Sequence, residues 1–188
     1  MFINSLLKQQ NMSIYRLAKE SGLPYATVND ICNQKAALEK CSAETVYRLA
    51  NALNVSMEDL LAPQLTERSS FELFKSSVCH RLKDMGDVPF LIDLIESNYI
   101  RIYYDWEWYP ESLYLLAMLD YISKENDVPL CTDYDDLRST KLAEPLFPAG
   151  ILAQEAAGKP ISKTEVLMQA IPEFLKYNII ESDVRSVA

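Results

Sequence analysis

Apolar residues in the first third of the chain recur at helical spacing, and short polar or glycine positions interrupt them. In FINSLLKQQ, Ile3, Leu6 and Leu7 fall at i, i+3 and i+4 before Asn11 breaks the run. Ser13 is placed to cap IYRLAKES, where Ile14, Leu17 and Ala18 repeat that spacing and Gly22 permits a sharp stop. A third run, from about Tyr25 to Asn33, points Val28 and Ile31 inward. Ser42 opens AETVYRLANAL, with Val46, Leu49, Ala50 and Leu53 on one side, and Ser56 with Asp59 opens MEDLL. Five helices this short cannot stand alone, so they are expected to share one core.

The stripe breaks at APQLTERSS, which is polar and contains Pro63. Three segments follow: a head over residues 1–62, a linker over 63–69 and a body over 70–188. The body predicts helices at FELFKSSVCHRLKDM, VPFLIDLIESN, ESLYLLAMLDYISKEN, TDYDDLRSTKL, FPAGILAQEAAG and SKTEVLMQAIPEFLKYN. Only IRIYYDWEW, residues 100–108, alternates long enough for a short strand or an extended loop. The expected class is all-α, with a five-helix head and a second helical domain.

Composition refines this division. The apolar fraction of 49% in 188 residues is ample for packed cores. The net charge of −9 is unevenly placed, since the head carries six basic and six acidic side chains and the remainder twelve and 21. An acidic body does not coat nucleic acid, whereas a neutral head can still present local cations. Cys32, Cys41, Cys79 and Cys131 form no C-x-x-C pair, and His80 is the only histidine, so no zinc spacing can be drawn. No run reaches the roughly 18 apolar residues of a membrane helix, and the opening lacks the pattern of a signal peptide. A soluble, cytoplasmic protein with reduced thiols and no cofactor is expected.

The second and third helices resemble a helix-turn-helix unit, and their surroundings are similar to the phage repressor and Cro (XRE-like) family of DNA-binding domains. The resemblance covers residues 2–62. It rests on Leu17 and Ala18, on Ser21–Leu23, on Val28 and Ile31, and on ETVYRLANALNVSMEDLL. Ala18 is small where two helices cross, Gly22 allows a left-handed turn and Leu23 plugs the corner. The resemblance implies that the third helix enters the major groove. Tyr25, Ala26, Asn29 and Asp30 are then the base-reading residues: Asn29 for adenine, Asp30 for the cytosine amino group and Ala26 for a thymine methyl. Arg16, Lys19, Asn33, Lys35 and Lys40 take the phosphates. Two positions depart from the family pattern, Ile14 where a glutamine is common and Pro24 at the cap of the third helix.

The body holds NYIRIYYDWEWYPESLY, in which Tyr103, Tyr104, Trp106, Trp108 and Tyr109 are candidates for a dimer or partner surface, with a place in the core as the alternative. Asp133, Asp135 and Asp136 lack the glycine and distal glutamate of a calcium loop and suit a helix start, where acids favour the dipole. No catalytic triad or phosphate-binding glycine loop can be built. A dimeric, sequence-specific repressor binding double-stranded DNA is the expectation, by analogy an antitoxin-like autorepressor that holds a toxin-like partner through residues 70–188. The alternatives are a ligand sensor with a pocket lined by the Tyr/Trp cluster, and a protein-interaction module with little DNA binding.

Overall fold

A computed structural model describes residues 2–158 and 163–185. The described residues are helical apart from turns, short 3-10 segments and one isolated bridge between Leu146 and Ile179. The chain divides into two compact units. One comprises the residues up to Arg68 together with Asp105–Glu107, and the other the residues from Ser69 to Tyr104 and from Trp108 onward.

The first unit, the head, contains α1 (Phe2–Gln9), α2 (Ile14–Ser21), α3 (Tyr25–Cys32), α4 (Ala43–Leu53) and α5 (Met57–Leu65), with a 3-10 turn at Leu38–Lys40. Their apolar stripes meet in one core of Ile3, Leu6, Leu17, Val28, Ile31, Leu38, Leu49, Leu53 and Leu60. The expected caps form: Ser13 Oγ accepts from the Arg16 amide, Ser42 Oγ from Thr45 and Ser56 Oγ from Asp59. Each hydroxyl satisfies an amide that has no partner within its helix. Gly22 sits at φ 66°, the left-handed conformation that a side chain strains, and so turns α2 into α3. α5 runs past Ala62 and through Pro63 to Leu65, because the ring's fixed φ suits a helix and only one hydrogen bond is lost.

The second unit, the body, contains α6 (Phe71–Met85), α7 (Asp87–Ser97), α8 (Tyr99–Asp105, whose last residue clusters with the head), α9 (Tyr109–Glu125), α10 (Ala149–Ala156), α11 (Lys163–Met168) and α12 (Pro172–Leu175). α9 is the centre: every residue from Glu111 to Asp120 is buried. Phe90, Leu94, Ile100, Phe174 and Tyr177 pack around it. Buried polar groups on α9 are satisfied, as Ser112 Oγ donates to Ile100 O at 2.7 Å and Asp120 receives Arg138.

Three sequence expectations for the body are corrected. Residues 99–105 form a helix, not a strand or extended loop, since Ile100, Tyr103 and Tyr104 also satisfy i, i+3, i+4 and left-handed Asn98 restarts the chain after α7. TDYDDLRSTKL forms a 3-10 turn at Thr132–Tyr134 and further turns instead of a helix. Its acids serve ion pairs rather than a helix start: Asp136 binds Arg101 at 2.7 Å and Asp135 binds Arg138 at 2.5 Å. The run predicted from Ser162 divides into α11 and α12, and Pro172, which cannot donate to a continuing helix, begins the second piece. The start of that run lies outside the described residues.

Candidate nucleic-acid interface

Val28 and Ile31 are fully buried on α3, so helical geometry turns the opposite face outward. Tyr25 and Ala26 are exposed there, and Asn29 and Asp30 are half-buried. The four expected base readers therefore occupy one accessible face of a short helix. α3 begins at Pro24 without a side-chain cap, which leaves its first amides open to a partner.

The cations divide by their partners. Arg16 Nε donates to Glu20 Oε1 at 2.6 Å, an exposed i, i+4 pair on α2. Lys19, Lys35 and Lys40 are exposed and make no ion pair among the described residues. Lys35 is positioned by its backbone, since its amide and that of Ala36 both donate to Asp30 O, at 2.8 and 3.1 Å, which closes the turn after α3. Asn33, expected on a phosphate, instead turns its amide back onto α3: Nδ2 donates to Asn29 O at 2.8 Å and to Asn29 Oδ1 at 3.0 Å. An amide has two N–H bonds, and both are engaged in this arrangement.

Two further residues join this surface. Tyr15, 70% exposed, lies with its ring centroid 6.4 Å from that of Tyr25, itself 51% exposed. The pair of phenols extends the tip of α3 onto α2. Its signal in the sequence was partial, since Tyr15 falls at the flank of the α2 stripe, roughly 60° from Ala18. Arg48 Nη1 reaches Gly22 O at 3.4 Å while Nη2 holds Glu44 at 2.6 Å, so α4 braces the turn between α2 and α3. Nothing in the sequence linked those two positions, which are 26 residues apart.

The aromatic candidates occupy different surroundings. Trp106 belongs to the first unit and packs, half-buried, against the head's core. In that unit Ser5 Oγ donates to Glu107 Oε1 and Gln9 Nε2 to Asp105 Oδ1, both at 3.0 Å. In the body Tyr103 stacks on Trp108, with centroids 5.5 Å apart, and on Tyr99 at 5.4 Å. Tyr104 meets Tyr109 edge-on at 5.2 Å and shares a hydrogen bond with Thr140. These rings are half-buried, apart from Tyr99 and Tyr109, which are exposed.

Residues 3–64 match the Cro/C1-type HTH DNA-binding domain, about a third of the chain. No curated protein and no solved structure matches the chain. The head thus carries a DNA-binding domain of transcription regulators, and among the described residues no helix is long and apolar enough to cross a membrane.

Proposed function

We propose that the protein is a sequence-specific transcriptional repressor that binds double-stranded DNA as a homodimer, with α3 in the major groove. The observation that carries this reading is the outward row Tyr25, Ala26, Asn29 and Asp30, set opposite buried Val28 and Ile31, with exposed lysines on α2 (Lys19) and in the segment after α3 (Lys35, Lys40). Asn29 pairs with adenine and Asp30 accepts from cytosine, while the lysines grip phosphates. Aspartate on a reading helix repels phosphate but suits a cytosine edge, so it contributes selectivity rather than affinity.

A head with so few free cations binds weakly, because affinity grows with each phosphate neutralised. A second copy doubles the number of phosphates held. An exposed apolar row on α7, Val88, Ile92 and Ile95 at i, i+4, i+7, supports self-association. Selection of bound duplexes from random sequence tests the whole reading. Two half-sites related by inversion, about one helical turn apart, are the expected result. A single unpaired motif would remove the dimer, and absence of any enriched motif would remove sequence-specific reading.

A further inference from the structure

The body contains a cleft of about 640 Å³ between the C-terminal half of α9, the extended stretch Val128–Leu130 and α12. Asp120, Lys124, Glu173 and Lys176 line it together with Val128 and Leu130. None of the aromatic segment, residues 98–114, reaches it. Its size falls among sites that enclose small organic molecules.

The charged groups are arranged in a definite way. Asp120 is 3% exposed and well satisfied: Arg138 Nε and Nη2 donate to it, at 3.2 and 2.7 Å to Oδ1, and the Tyr177 hydroxyl donates to Oδ2 at 3.2 Å. That network fixes the wall. Lys176 Nζ approaches the same carboxylate only to 3.4 Å, longer than the roughly 2.7–2.9 Å of a strong charge-assisted bond, and its side chain is 42% exposed. Lys176 Nζ also lies 5.0 Å from the Tyr177 ring centroid, a contact to a ring face that leaves N–H bonds to give.

Glu173 is the complementary half. Its Oε1 accepts from Lys124 Nζ at 2.8 Å, but its Oε2 is buried without a hydrogen-bond partner. A buried carboxylate oxygen without a donor is an unusual feature of a folded protein. Lys124 is 64% exposed and lies on this carboxylate, so it can swing outward as another donor arrives. Glu173 and Lys176 are three residues apart and Lys176 keeps helical backbone angles, φ −52° and ψ −35°. Such a pair stands on one face with Cβ atoms roughly 5–6 Å apart. An acceptor wanting N–H and a cation wanting an anion thus stand side by side, next to the apolar side chains of Val128, Pro129, Leu130 and Pro172.

We propose that this cleft binds a free α-amino acid with a large apolar side chain. The ligand ammonium displaces exposed Lys124 Nζ from the Glu173 carboxylate, its carboxylate accepts from Lys176 Nζ, and its side chain lies along Val128–Leu130. An amine alone leaves Lys176 without its anion, and a carboxylate alone leaves Glu173 without its donor. The cleft lies wholly in the body, so the assignment stands apart from the reading of DNA by the head.

The test uses the full chain, with calorimetric titration and thermal unfolding in the presence of L-phenylalanine, 2-phenylethylamine or 3-phenylpropanoate. Saturable binding of L-phenylalanine with a raised Tm, and at least tenfold weaker binding of the other two, is expected. Glu173→Gln and Lys176→Met should each weaken L-phenylalanine binding at least tenfold while circular dichroism stays unchanged. If Glu173→Gln fails to fold, the exposed Lys176→Met decides alone. No saturable binding of L-phenylalanine, L-leucine or L-tryptophan would overturn the assignment, as would equal binding of the three phenyl compounds or wild-type affinity in Lys176→Met.

Discussion

Asn33 Nδ2 donates to Asn29 at two points, the side-chain Oδ1 and the backbone oxygen, at 3.0 and 2.8 Å. With Oδ1 receiving Asn33, Asn29 keeps one Oδ1 lone pair and both Nδ2 hydrogens for a base. A bidentate pair with adenine needs those groups. Asn29→Ala should therefore cost about 1–3 kcal/mol at a single base position. Asn33→Ala should cost less and lose its effect once Asn29 is gone, a coupling that a double-mutant cycle on matched and mismatched duplexes measures. Additive losses spread over all sequences would return Asn33 to the phosphate-binding set.

Charge on α2 and beyond α3 gives a prediction of opposite signs. Lys35→Ala with Lys40→Ala should weaken binding to every duplex and flatten the salt dependence by about 0.9 in log–log slope for each phosphate no longer neutralised. Glu20→Ala removes the carboxylate that holds Arg16 at 2.6 Å, so the guanidinium can turn to a phosphate, tightening binding and steepening the slope. Fluorescence anisotropy over a salt series reads both. A weaker Glu20→Ala protein would mean that the ion pair positions α2 rather than withholding Arg16.

The α7 row predicts where two copies meet. Ile92 is 51% exposed, so a charge there should leave the fold intact. Ile92→Glu is expected to give a monomer by light scattering, with unchanged helix content and much weaker binding to a two-half-site duplex. A dimer that survives this change would place self-association elsewhere.

Trp106 and Trp108 should behave differently. Trp106→Ala uncovers part of the head's core and should lower head stability by about 1–2 kcal/mol, below the roughly 3–5 kcal/mol of a fully buried ring. Trp108→Ala removes a stack on Tyr103 and should cost the body about 1 kcal/mol. Hydrogen exchange on the two full-length variants, read separately for head and body amides, separates the two effects. A head cut free of Trp106 should melt cooperatively but at lower temperature. If Trp106→Ala instead abolishes dimerisation and leaves head stability unchanged, the ring is an interface residue.

Acid should weaken the body through Asp87. The Arg185 guanidinium, followed by the Asn126 amide, holds its carboxyl down to about 2. An unfolded aspartate titrates near 4, so the pair contributes fully above that pH and its contribution disappears as pH falls through about 2. Arg185 is half exposed, and solvent screening limits the effect to about 1 kcal/mol. Urea unfolding at stepped pH should show a shallower loss between about pH 4 and 2 in Asp87→Asn than in the parent chain.

The sequence by itself determined the head. Its stripes are local, its serines and Gly22 mark helix ends within three or four residues, and buried Val28 and Ile31 dictate which side of α3 faces out. In the body the same local rules located α6, α7 and α9 but misjudged residues 100–105 and 132–142. There the pattern satisfied more than one period, and the choice fell to partners far along the chain. Arg101 reaches Asp136 across 35 residues and Arg138 reaches Asp120 across 18, and these pairs draw the acids away from a helix start. Tertiary structure alone decided that Trp106 covers the head's core while Trp108 stacks in the body, and that Glu173 and Lys176 share a cleft with residues from α9. Helical periodicity gives each side chain a face. Which group meets that face depends on chain closure and on the partners available to buried charges, quantities with no local trace in the sequence.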